Sequence, residues 1–92
     1  MTATTTLSTQ FLLFAQYGGQ AIIPVEDVCR DYFNHLTPDK FLRKASAGEI
    51  EIPVVRVESS QKAQKGVYLH DLADYLDRRR EVALKEFRQL NR

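Results

Sequence analysis

Cysteine is almost missing from this 92-residue chain. The one thiol, Cys29, permits no disulfide within the chain, which fits a reducing, cytoplasmic setting. It falls in an apolar-periodic run and so reads as a buried small hydrophobe rather than a reactive group. Long hydrophobic runs are missing as well. The opening MTATTTLSTQ has no basic segment, and the FLLFA that follows is too short for a signal sequence or a membrane span. The chain carries no glycine-rich phosphate loop, nucleophile elbow or HExxH pattern. His35 and His70 stand apart from Cys29 and from any acid pair at ligand spacing. These absences argue against an enzyme, a metal site or a cofactor. Neither a repeat nor a linker divides the chain, so a single domain is expected over residues 1–92.

A strong net charge is also lacking. The formal value is +1, which does not by itself point to nucleic acid. The distribution is more informative. Residues 1–36 set Arg30 against Glu26, Asp27 and Asp31, whereas residues 37–69 hold six bases against four acids. Residues 70–92 hold six bases against five acids, so the positive excess begins after Leu36.

What is present reads mainly as helix, with some strand. Residues 1–7 form a polar, threonine-rich tail. LSTQFLLFAQYGG predicts a short helix, capped by Ser8 or Thr9 and ended by Gly18 and Gly19. Its Phe11, Leu12, Leu13 and Phe14 leave almost no polar face, so it needs cover on more than one side. AII is a short strand stopped by Pro24, and Val25, Val28, Cys29, Tyr32 and Phe33 follow at helical spacing. TPDKFLRKASAG is the clearest local signal in the chain. Thr37 caps it, Pro38 opens it, Asp39 suits its positive end and Gly48 stops it, while Phe41, Leu42 and Ala45 face inward. A hairpin over residues 50–69 follows, with strands EIEIPVVRVE and GVYL joined by the polar tip SSQKAQKG. His70 or Asp71 then opens a last helix, over residues 71–90.

Two helices over residues 25–47, joined by the short NHL turn and followed at once by a hairpin, give the order of a winged helix-turn-helix. In that arrangement the second helix enters the DNA major groove and the hairpin, the wing, lies along the backbone or in the minor groove. The expected fold is therefore α+β, mainly α, with an added N-terminal helix and a long C-terminal one. Lys40, Arg43 and Lys44, with Asp39 and Ser46, fall on the outer side of the second helix. Thr37 and the free N–H groups at its start suit a phosphate. Arg56, Ser60, Gln61, Lys62, Gln64 and Lys65 supply donors from the wing for backbone or minor-groove contacts. A solvated charged face would place the same residues in the same way, and Gly66 would then merely help the turn. Charge and motif together favour double-stranded DNA.

The last helix keeps apolar positions beyond Arg78, Arg79 and Arg80. Leu76, Val82, Ala83, Phe87 and Leu90, with Phe11, Leu12 and Phe14 of the first helix, are expected to meet a second subunit in a homodimer. A helix lying back along its own domain is the alternative. Asp74 and Asp77 are placed to pair locally with Arg78 and Arg80. An excisionase-like architectural factor, and an adaptor whose basic surface meets an acidic protein, are the competing functional readings.

Over residues 8–90, the wording FLLFAQYGGQAIIPVEDVCRDYF, HLTPDKFLRKASAGEIEIPVVR and SQKAQKGVYLHDLADYLD resembles the pyocin activator protein family, PrtN. The order of elements is more distantly similar to excisionase-like and MerR-like winged domains. The resemblance implies a cytoplasmic transcriptional activator. It would bind a repeated promoter-proximal box upstream of bacteriocin genes and assist RNA polymerase.

Overall fold

The structure is a computed structural model that describes residues 7–60 and 62–91. The expected tail therefore lies outside the described residues apart from the exposed Leu7, and so does Gln61, named above for the wing.

Each helix starts where the local chemistry places it. Helix α1 spans Thr9–Gln16, and its cap is Ser8, whose Oγ accepts from the Phe11 N–H at 3.0 Å. Gly18 and Gly19 end it at φ +63° and +82°, a region that glycine enters without a Cβ clash. Strand β1, Ile22–Pro24, runs directly into α2, Val25–Tyr32. Pro24 is the last strand residue and the position before the helix, with no side-chain cap, and Glu26 and Asp27 occupy the positive first turn. Helix α3 spans Pro38–Ser46. The Thr37 hydroxyl accepts from the Lys40 N–H at 3.2 Å, and Gly48 at φ +78° follows the helix end.

Strand β2 is only Val55–Arg56, much shorter than EIEIPVVRVE implies. Ile50 and Ile52 are both buried, and the Ile52 N–H donates to the Ile50 carbonyl at 2.9 Å, a tight turn that keeps this stretch out of a ladder. Pro53 has no N–H to offer a partner strand. Strand β3, Lys65–Tyr68, is central in a three-stranded antiparallel sheet of order β1-β3-β2. Ile23 lies opposite Val67, and Arg56 opposite Lys65. Gly66 does more than help a turn. A Cβ there would lie 2.6 Å from a methyl of Ile22 and 2.7 Å from the Ile23 carbonyl oxygen, so the approach of β1 demands glycine.

Helix α4, Leu69–Leu90, follows β3 with no loop, one residue earlier than His70. The Leu69 N–H is taken by the Ala21 carbonyl at 2.8 Å, which fixes the junction to the start of β1. The core gathers Leu13, Ile23, Val28, Phe41, Val67 and Leu72, all at most 2% exposed. Each such side chain contributes about 1.5–3 kcal/mol by leaving water. Phe33 ties the helices together, with ring centroids 5.1 Å from Phe41 and 5.8 Å from Tyr75. Only the first part of α4 joins this core. The radius of gyration is 15.3 Å, against roughly 12 Å for a compact chain of this length, because the rest of the helix projects.

Candidate nucleic-acid interface

Burial of Phe41 orients α3 and turns Lys40 and Arg43 out to solvent. Among the described residues, neither has a carboxylate within 4.0 Å. Lys44, expected on the same outer side, has a partner. Its Nζ lies 3.3 Å from Glu49 Oε1, just past the end of the helix. Both side chains are well exposed, so this pair is worth at most about 1 kcal/mol and is easily exchanged for a phosphate. Thr37 uses its oxygen on the Lys40 N–H, which leaves the hydroxyl proton free to donate.

The hairpin stands beside α3. A groove of ≈ 280 Å³ separates them, with Leu42, Ala45 and Ser46 on the helix wall and Arg56 and Lys65 on the strand wall. A second groove runs toward the tip and places Glu26, Asp39 and Pro38 across from Ala63, Gln64 and Lys65. Asp39 therefore faces the hairpin, while Lys40 and Lys44, four apart, share the far edge of the helix. No local pattern marks Leu42 and Ala63 as residues that line these grooves. That depends on where the hairpin rests.

The tip is tighter than eight free residues. The Val57 N–H donates to the Gln64 carbonyl at 3.2 Å, and Lys65 and Gly66 already belong to β3. The turn itself is closed from Ser60, whose carbonyl accepts from the Ala63 N–H at 3.1 Å and whose Oγ accepts from the Lys62 N–H at 3.1 Å. Ser60 thus shapes the tip, and Lys62 is carried exposed upon it. Arg56 and Lys62 are exposed, Lys65 is half-buried, and none has an ion-pair partner among the described residues.

Arg78 does not pair with Asp74, nor Arg80 with Asp77. His70 Nε2 takes Asp74 at 3.3 Å, and the Thr9 hydroxyl donates to Asp77 at 2.6 Å. Arg78 instead donates to the Glu51 carbonyl at 2.9 Å and so moors the segment between α3 and β2 to α4. Sequence reasoning missed this role, because a base far from a loop in the chain carries no mark of the carbonyl it will meet.

The acidic cluster between α1 and α2 is closed on itself. Arg30 donates to Asp31 at 3.0 and 3.1 Å and to Asp27 at 3.0 Å, and the Tyr17 hydroxyl donates to Asp31 at 2.7 Å. Arg30, and then Tyr17, hold the Asp31 carboxyl below its usual range. Burial first, then the Asp31 carboxylate, push the Tyr17 hydroxyl up. Cys29 is buried, and desolvation raises its thiol, the opposite of what a reactive cysteine needs. No group of three or more potential metal ligands occurs among the described residues, and no helix among them is long and apolar enough to cross a membrane.

The residues named for self-association are divided by the fold. Leu76 packs against its own core. Phe11, Leu12, Phe14, Val82, Phe87 and Leu90 are exposed large hydrophobics, and Ala83 is exposed beside them. The family model described as Pyocin activator protein PrtN matches residues 9–83. No curated protein and no solved structure matches the chain.

Proposed function

The chain belongs to the pyocin activator protein PrtN family, and on that premise we propose that it is a cytoplasmic, sequence-specific DNA-binding activator of pyocin-like genes. It works as a homodimer, with a winged helix-turn-helix as the reading head and RNA polymerase as the downstream partner. One observation carries the reading: α3, which presents the unpaired Lys40 and Arg43 to solvent, and the hairpin, which carries Arg56 and Lys65, form the two walls of one groove.

The chemistry divides between the two walls. Lys40 and Arg43 project from α3 toward base edges, where the Arg43 guanidinium is shaped to take guanine O6 and N7 with two hydrogen bonds. Ser46 and Asp39 lie beside them on the hairpin side. Lys44 leaves Glu49 for a phosphate, and the Thr37 hydroxyl donates to another at the helix start. Arg56, Lys62 and Lys65, with the polar Ser60 and Gln64, hold backbone phosphates from the wing. Gln61 belongs to the same polar run. No cofactor enters this mechanism.

The test is titration of the full chain against duplex promoter fragments at several salt concentrations. If about six phosphates are neutralised per dimer, log affinity falls against log salt with a slope near −5. No binding even at low salt would overturn the reading and favour a basic adaptor for an acidic protein.

A further inference from the structure

The stripe that α4 buries in its own domain continues past the point where the domain ends. Leu69, Leu76, Ala83 and Leu90 recur every seven residues, with Ala73, Arg80 and Phe87 between them, the spacing of a helix–helix seam. Leu69 and Ala73 are buried, whereas Phe87 is 62% exposed and Leu90 84%. A free helical end of this length is marginal in water unless its apolar side is covered.

We propose that the distal half of α4 pairs antiparallel with the same segment of a second copy. This rests on the dimeric reading above and gives the dimer its direction. Charge selects both the occupant and the orientation. Arg80 falls within the seam, so a parallel pair in register would press two guanidinium groups together at one level. Antiparallel crossing centred near Val82 sets Arg80 beside the small Ala83 of the other copy, which leaves its stem room to run out to water.

The flanks agree. Arg79 and Glu86 are seven residues apart and so lie on the same side of the seam. The same crossing brings each Arg79 to the Glu86 of the other copy, twice by symmetry. In the single chain neither has an ion-pair partner among the described residues. The seam thus holds apolar cover and two complementary charge pairs that only a reversed second copy supplies.

Sedimentation equilibrium of the full chain without DNA tests the pairing through Arg79→Glu, Glu86→Arg and the double exchange. Each single reversal should weaken self-association about tenfold or more, since two attractions become two repulsions. The double exchange should return to within about threefold of the parent. Circular dichroism of all four proteins checks that the helix content is kept. Unchanged single variants, a double variant that stays weak, or a parent chain that is monomeric throughout would each overturn the pairing. A monomer that still binds promoter DNA overturns the pairing and leaves the DNA reading standing. A charge-sensitive dimer with no affinity for DNA does the reverse.

Discussion

α2 and α3 are neighbouring amphipathic helices of eight and nine residues, each with acid in its first turn and base in its last, yet they spend their charge in opposite ways. On α2 the single base, Arg30, is held by Asp27 and Asp31, and Tyr17 closes the cluster from α1. On α3, Lys40 and Arg43 have no partner among the described residues, and Lys44 has only an exposed pair with Glu49. Both helices commit an inward side to the core, α2 through Val25, Val28 and Cys29 and α3 through Phe41. Under the proposed function, whether its bases are already satisfied is what separates a supporting helix from a reading helix. A base that is free in the unbound chain can release counterions from DNA without first giving up an internal partner.

The largest expected effect lies where the helices are alike. Phe41→Ala removes a fully buried ring in contact with Phe33 and should cost about 3–5 kcal/mol of stability in denaturant unfolding. A loss below about 1 kcal/mol would mean that α3 is not anchored as described.

Next come the two walls of the groove, which should fail differently. Lys62→Ala with Lys65→Ala should weaken all duplexes alike and bring the salt slope from about −5 to about −2 per dimer. Arg43→Ala should instead cost about 1–3 kcal/mol of discrimination at one base pair of each half-site, with the slope nearly kept. Binding titrations of matched and mismatched duplexes check both. An unchanged slope in the wing double variant would remove the hairpin from the mechanism.

The smallest effect on DNA belongs to α2. Arg30→Ala should leave affinity within about twofold of the parent, because its charge is already spent. Its effect should surface in acid instead. The Asp31 carboxyl is depressed mainly by Arg30, and a depressed carboxyl contributes stability that is present above its unfolded value and lost as pH falls through its folded one. The variant should therefore show a shallower loss of stability below about pH 4 in thermal melts. A marked drop in DNA affinity would break the contrast between the helices.

The features legible in the sequence are the local ones. Ser8, Thr37 with Pro38, and Gly48 mark helix limits because a cap acts within three or four residues of itself. The inward stripe of α2 could be read from spacing, as could the outward bases of α3. The strand before the hairpin could not, since alternation suggests extension wherever it occurs while the Ile50–Ile52 turn and Pro53 decide against pairing. Arg78 carried a local signal that misled. Asp74 stood one helical turn away, but His70 took it, and the Glu51 carbonyl was nearer in space than in sequence.

By itself, then, the sequence determined the four helices, the order of elements, the outward charge of α3 and the family wording. Only the tertiary structure decided that β3 lies between β1 and β2, that Gly66 must have no Cβ, and that the hairpin rests beside Leu42 and Ser46 to form one groove. The physical reason is range. Caps, turns and helical stripes are settled among residues within a turn or two of each other. Strand neighbours, moorings and grooves are settled by whichever distant groups the collapsing core brings within hydrogen-bonding reach.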